Sequence, residues 1–227
     1  MNDGGYPIMM KIKSAHCIVI GAGQVAVRKI SSLLDVSARV TVISPTAVKE
    51  IEDWHEEGKI NLVRREYDGA GDLRGGALVF AATNRDEVNA SVYRDAVILG
   101  IPVNDVSKPM RSTFYLPSIM RRGKLVMAVS TSGASPGLAN KLRDELEQRI
   151  GAEYEIYVDF LSELRELILS KVKDAELRKC IFQNVLKFDI LEVIRSGHFE
   201  SYRNRVLKEL LELDNMQEWE AIVKPNS

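Results

Sequence analysis

Gly21 and Gly23, with Ala26 three positions on, make a G-x-G-x-x-A pattern and are the residues whose spacing most clearly suits chemistry. A turn bare of side chains lets the main chain approach a phosphate, and the amides of a following helix aim partial positive charge at it. That suits a grip on the pyrophosphate of a dinucleotide, and hence use of a nicotinamide cofactor. The third position is alanine, still small enough for the helix to pack on the preceding strand. The context is the required one: an apolar run at 17–20 breaks at Gly21-Ala22-Gly23, helical periodicity follows over 24–34, and a second apolar run occupies 40–43.

The elements positioning this turn continue in alternation. Residues 46–57 read as a helix with Val48, Ile51 and Trp54 on one face, 60–64 as a strand, 77–81 as a fully apolar strand, 86–99 as a helix and 102–106 as a strand. Such alternation predicts an α/β fold, a Rossmann-type, mostly parallel sheet covered on both faces, over residues 1–112. Residues 113–150 then read as a small α+β segment. It has an extended stretch at 113–117, a basic turn from Arg121 to Lys124, a strand at 125–130, and a helix capped by Ser135, opened by Pro136 and stopped near Gly151. Past Glu153 no strand pattern remains. Tyr157, Phe160, Leu161, Leu164, Leu167 and Ile168 recur at helical spacing, and amphipathic stretches at 175–188 and 199–213, broken by Gly197 and Asp214-Asn215, complete a helical C-terminal domain over 151–227.

Composition narrows the class. The chain has 227 residues, 45% apolar and 28% charged, and a formal net charge of −1, so it can bury a core and has no general attraction to nucleic acid or an anionic membrane. No apolar run is long enough to span a bilayer and no signal-peptide pattern opens the chain, so a cytoplasmic location is the default expectation. Cys17 and Cys180 are far apart and without metal-ligand neighbours, which predicts two buried, reduced thiols; His16, His55 and His198 are scattered, which predicts no metal site.

Beyond the glycine turn, several segments resemble precorrin-2 dehydrogenases, including the N-terminal module of siroheme synthase. The likeness rests on Tyr6-Pro7-Ile8, the run from Val19 through Gly21-Ala22-Gly23-Gln24-Val25-Ala26 to Arg28-Lys29, Ala81-Ala82-Thr83-Asn84, Pro102-Val103-Asn104, and Ser130-Thr131-Ser132-Gly133-Ala134-Ser135-Pro136. It covers about residues 6–150. The resemblance implies NAD-dependent oxidation of precorrin-2 to sirohydrochlorin on the route to siroheme, heme or cobalamin. In some members it also implies insertion of ferrous iron, and it implies a homodimer built by exchange of the middle segment.

By that likeness Gln24 and Val25 contact the pyrophosphate, Ser44, Pro45 and Thr46 lie beside the adenosine ribose, and Thr83 and Asn84 border the nicotinamide. The usual acidic ribose partner is absent, and Ser44 by itself does not discriminate NAD from NADP. The family's aspartate falls at Ser107, a poor proton acceptor; Asp105, two residues earlier and so on the same side of an extended chain, is the candidate catalytic carboxylate, with Ser107 a polar neighbour. Precorrin-2 carries eight carboxylates. The Thr131, Ser132, Gly133 and Ser135 loop, opening a helix, could hold them with amides and hydroxyls, and Arg111, Arg121, Arg122, Lys124 and Lys141 could add charge. Two other functions stay open: a nucleotide-sensing regulatory module, and a family member that keeps only a chelatase role.

Overall fold

The computed structural model describes residues 5–212, 218, 219, 223 and 224, so the predicted breaker at Asp214-Asn215 and the helix end at Leu213 lie outside the described residues. Contacts divide the chain into two units, 1–116 and 117–227.

In the first unit, β1 (His16–Ile20), β2 (Arg39–Ile43), β3 (Ile60–Val63), β4 (Leu78–Ala81) and β5 (Val103–Asp105) form one parallel sheet in the order β3-β2-β1-β4-β5. Successive side chains of a strand face opposite sides, so each strand feeds two cores. Cys17, Val19, Val40, Val42 and Phe80 pack with Ala26, Ile30 and Leu33 of α1 (Gln24–Leu34) and Ile51 of α2 (Lys49–Glu56). Ile18, Ile20, Val79, Ala81 and Val103 pack with Val92 and Ala96 of α3 (Asp86–Ile98). The order of strands reverses between β1 and β4, and in open parallel sheets the crevice beyond the carboxyl ends at such a point is where ligands sit.

Two boundaries depart from expectation. The second helix starts at Lys49 rather than Thr46, because the Ser44 hydroxyl donates to the Thr46 carbonyl (2.7 Å) and holds 44–46 in a turn. The extended stretch expected at 113–117 as part of the middle segment begins within the first unit. There Thr113 N–H donates to the Val103 carbonyl (2.8 Å) and its Oγ1 accepts from Val103 N–H (2.9 Å), covering the open edge of β5.

In the second unit, β6 (Ser118–Arg122) and β7 (Leu125–Val129) form an antiparallel hairpin. Its turn is only Gly123-Lys124: Arg121 and Arg122, expected in the turn, pair with Val126 and Leu125 inside the ladder, since Gly123 at φ +52° closes a two-residue connection by itself. α4 (Pro136–Arg149) follows, capped by Ser135, whose Oγ accepts from Leu138 N–H (3.3 Å). α5 (Glu153–Lys171), α6 (Ala175–Val185), α7 (Ile190–Arg195) and α8 (Phe199–Glu212) enclose a core of Phe160, Leu164, Ile168, Ile181, Val185, Ile190, Val206 and Leu210. Phe160, Leu164 and Ile168 repeat every four residues, the single-stripe burial expected of a helix with one covered face. The short α7, capped by Asp189 on Glu192 N–H (3.1 Å), was not foreseen between the two amphipathic stretches.

Candidate functional site

The two glycines do different work. Gly21 has φ +104°, and a Cβ there would lie 2.5 Å from the Ala82 carbonyl oxygen, so its bareness lets β1 and the end of β4 touch. Gly23, the N-cap of α1, has φ −93° and ψ −175°, a conformation open to any residue, and a Cβ on it would meet nothing within 4 Å. Neither packing nor backbone strain calls for glycine there, whereas close approach of a group from outside the chain does. Gln24 and Val25 are exposed in the first turn of α1, Ala26 is fully buried, and no side chain caps the turn's amides. α2, α3, α5, α6, α7 and α8 carry Asp or Glu in their first turns, while α1 and α4 carry none; α4 has the Ser135 cap, so of these two starts α1 has neither an acidic residue nor a side-chain cap among the described residues. The two candidates for an outside anion are these two starts, and α1 is the less satisfied. A dinucleotide pyrophosphate fits the first of them.

Pro45 and Thr46 are exposed beyond β2; Ser44 is buried, its hydroxyl proton committed to Thr46. The cations near this edge are engaged, Lys49 with Asp53 (3.0 Å), Arg64 with Glu52, and Arg65 with Asp72.

At the end of β4 the Thr83 hydroxyl donates to Asn89 Oδ1 (2.6 Å) and accepts from Arg85 N–H (3.2 Å), so it shapes the turn, while Asn84 is exposed and without a hydrogen-bond partner among the described residues. Asn89, 1% exposed on α3, also takes Thr83 N–H on Oδ1 (3.2 Å) and donates from Nδ2 to the Thr83 carbonyl (3.0 Å) and to Ser107 Oγ (3.3 Å). Asp105 and Ser107 do face the same side. The Ser107 hydroxyl donates to Asp105 Oδ1 (2.6 Å), which also accepts from the amides of Ser107 (2.9 Å) and Lys108 (3.2 Å), and Arg111 Nε donates to Oδ2 (2.8 Å). The Asp105 side chain is 0% exposed, so it meets no ligand directly; the group at the surface is Ser107. Asp86, at the start of α3, receives Arg111 and Lys108, and these two partners push its carboxyl down to about 2. The segment 105–112 is therefore a strap clamped to α3, and Arg111 is spent on that clamp rather than free for substrate.

The 131–135 loop is partly self-satisfied. Ser132 N–H donates to Ser130 Oγ (3.1 Å), Ser135 N–H to Thr131 Oγ1 (3.0 Å) and Ala134 N–H to the Thr131 carbonyl (2.9 Å). The expected row of free amides is reduced, but the hydroxyls of Ser130, Thr131 and Ser135, each accepting from an amide, keep their protons to donate. Ser132 and Gly133 both take positive φ (+50° and +81°), which folds the loop back on itself. Of the other expected cations, Lys124 pairs with Asp159 (3.0 Å) and Arg122 donates to the Ile150 carbonyl (3.2 Å); Arg121 and Lys141 have no side-chain partner among the described residues.

Cys17 is buried, its thiol pushed up to about 11 by desolvation, but Cys180 is exposed, against the expectation of two buried thiols. Among the described residues no three His, Cys, Asp or Glu gather as a metal site, and no helix is long and apolar enough to cross a membrane. A cleft of about 470 Å³ lined by His16, Arg39, Thr41, Lys59 and Asn61 opens at the amino ends of β1 to β3, the edge opposite the glycine turn.

Residues 8–118 match the family model described as "Putative NAD(P)-binding", and residues 122–149 match the sirohaem biosynthesis protein central family. The siroheme synthase of Methylobacillus flagellatus is 37% identical over 198 residues, and that of Methylococcus capsulatus 35% over 212. The chain belongs to the siroheme synthase and precorrin-2 dehydrogenase family. These alignments cover 87% and 93% of the chain but only 42% and 44% of the two relatives, so the chain spans less than half the length of the curated relatives it matches. The solved structure of SirC, precorrin-2 dehydrogenase, superposes with a TM-score of 0.69 at 27% identity, covering 92% of this chain and 100% of that one. A nicotinamide-cofactor fold is thereby shown.

Sequence reasoning missed Asn89 and the double engagement of Arg111. A signal existed for the first: Asn89 shares a helical face with Val92 and Ala96, and a carboxamide on an apolar face needs partners. The pairing of Arg111 with Asp86, 25 residues apart, left no local trace.

Proposed function

We propose that this protein oxidises precorrin-2 to sirohydrochlorin with NAD as the acceptor, as a homodimer, in the cytoplasm. The observation that carries it is Gly23: a glycine that the chain itself does not need, at the start of a helix with no acidic residue in its first turn, in a family whose members include a precorrin-2 dehydrogenase. The bound nicotinamide would supply the hydride acceptor. The main chain at Gly23, Gln24 and Val25 holds the pyrophosphate, and Pro45, Thr46 and the Ser44 turn border the ribose. NAD is proposed over NADP because Lys49, Arg64 and Arg65 each already face a carboxylate, so a 2′-phosphate would have to compete with Asp53, Glu52 and Asp72 for them. Thr83 and Asn84 bound the nicotinamide end.

On the substrate side the hydroxyls of Thr131, Ser132 and Ser135, the amide of Gly133 and the side chains of Arg121 and Lys141 answer the carboxylates of the tetrapyrrole. Asp105 acts through Ser107: a carboxylate that receives four donors and has no exposed surface holds the strap, and the proton released in the oxidation passes to water. The homodimer is supported by α4, whose Leu138 (48% exposed) and Leu142 (39%), four residues apart and so on one helix face, form an uncovered apolar stripe.

The test is to mix purified protein with precorrin-2 and NAD and follow sirohydrochlorin absorption, then add ferrous iron to read any chelation. Absorption growing only with NAD supports the proposal. Well-folded protein that binds neither dinucleotide nor turns over precorrin-2 refutes it.

A further inference from the structure

Ser107 sits in a hydrogen-bond frame that dictates what its hydroxyl can offer. The Asn89 carboxamide is oriented without ambiguity, because Thr83 N–H lies on its oxygen side (3.2 Å) and the Thr83 carbonyl on its nitrogen side (3.0 Å). Nδ2 is therefore the atom at 3.3 Å from Ser107 Oγ, and it can only donate. On the other side, Asp105 faces the amides of Ser107 and Lys108 and the guanidinium of Arg111, so its carboxylate accepts, and the Ser107 proton points at Oδ1 (2.6 Å). A serine hydroxyl has one proton and two lone pairs. The proton and one lone pair are taken inside the protein; a single lone pair remains, on an exposed residue.

We propose that Asn89 and Asp105 are positioning residues that make Ser107 an acceptor only, so that it recognises a ligand N–H donor at the carboxyl edge of the sheet. This rests on the dehydrogenase assignment, which supplies two such donors: the carboxamide of the nicotinamide and the pyrrole N–H of the macrocycle. Asn89 joins Ser107 to the Thr83 turn, and that turn abuts Gly21, so the acceptor is held in fixed register with the dinucleotide turn. An Asp at position 107 would be a charged acceptor. Serine keeps the direction of the hydrogen bond and drops the charge.

Calorimetry with NAD and with its 3-acetylpyridine analogue, which keeps the carbonyl and lacks the N–H, reads the first donor, and the KM for precorrin-2 reads the second. If the carboxamide is the donor, Ser107→Ala weakens NAD about fivefold, the worth of one neutral hydrogen bond, and leaves the analogue unchanged. Asn89→Ala moves the same ratio part-way, Ser107→Thr restores it, and a merely structural role would weaken both dinucleotides together. If the macrocycle is the donor, the dinucleotide ratio stays put, and KM rises about fivefold in Ser107→Ala and returns in Ser107→Thr. Folded Ser107→Ala protein with neither the ratio nor KM altered overturns the proposal while leaving the dehydrogenase assignment standing. Wild-type protein that binds no dinucleotide and does not oxidise precorrin-2 takes both down.

Discussion

Alanine substitutions at the two glycines of the turn should have opposite consequences. At Gly21 the backbone has φ +104°, costing a side chain about 1–3 kcal/mol, and the new Cβ would stand 2.5 Å from the Ala82 carbonyl oxygen, forcing β1 and β4 apart for about another 1–3 kcal/mol. Gly21→Ala should lose about 3 kcal/mol or more, a fall in Tm of about 10 °C. At Gly23 the φ of −93° is unstrained and the space is open. Alanine is the poorer N-cap by about 0.5–1 kcal/mol, and it gains about 0.4–1 kcal/mol by restricting the unfolded chain, so Gly23→Ala should stay within about 0.5 kcal/mol of wild type. On the proposed binding mode its methyl group would fill the seat of the pyrophosphate. Losing two charge-assisted hydrogen bonds of about 1.5–3 kcal/mol each raises the Kd for NAD about 100-fold or more. Urea unfolding and calorimetry on the same preparations measure both quantities. A Gly23→Ala protein that binds NAD as tightly as wild type would refute the reasoning, as would one destabilised as much as Gly21→Ala.

Four further outcomes are expected. Asp105→Asn removes a buried acceptor from Arg111 and should cost about 3 kcal/mol in chemical denaturation, with activity at low temperature falling less than stability. A thiol reagent at neutral pH should titrate one cysteine, Cys180, in native protein and two in denaturant, because Cys17 is buried and its thiol sits at about 11. The Asp86 carboxyl is depressed from 3.8 to about 2, so its clamp on Arg111 and Lys108 stabilises the fold above about pH 4 and is lost as pH falls toward 2; thermal scans should show Asp86→Asn flattening that part of the acid limb. Leu138→Glu with Leu142→Glu should shift the proposed homodimer at least about tenfold toward monomer in sedimentation while leaving the far-ultraviolet spectrum intact.

Much of the first unit was legible because its signals are local. Apolar runs of strand length, glycine breaks and helical periodicity each lie within a dozen residues, and together they mark the parallel sheet and its cofactor turn. The start of α2 is set locally, by the Ser44 hydroxyl on the Thr46 carbonyl, but the misplacements in the middle segment share a long-range cause. Thr113 to Pro117 read as an extended stretch of the middle segment, yet the partner that claims Thr113 is Val103, whose open edge the sequence does not display. The narrowing of the basic turn to Gly123-Lys124 likewise depends on which residues pair across the hairpin.

What the amino-acid order determined by itself was the family and most of the elements, β6 and α7 excepted, since both rest on residue types at short, regular spacing. Tertiary structure alone decided which polar groups are spent. Asp105 read as the catalytic carboxylate and is a buried anchor; Arg111 read as a substrate cation and is an internal brace; Ser107 read as the polar neighbour of that carboxylate and is the exposed one of the pair. Hydrogen-bonding capacity is exhausted by whichever partners come within about 3 Å, and chain distances of 18 to 25 residues, as for Asn89 with Ser107 and Asp86 with Arg111, close only when the sheet is assembled.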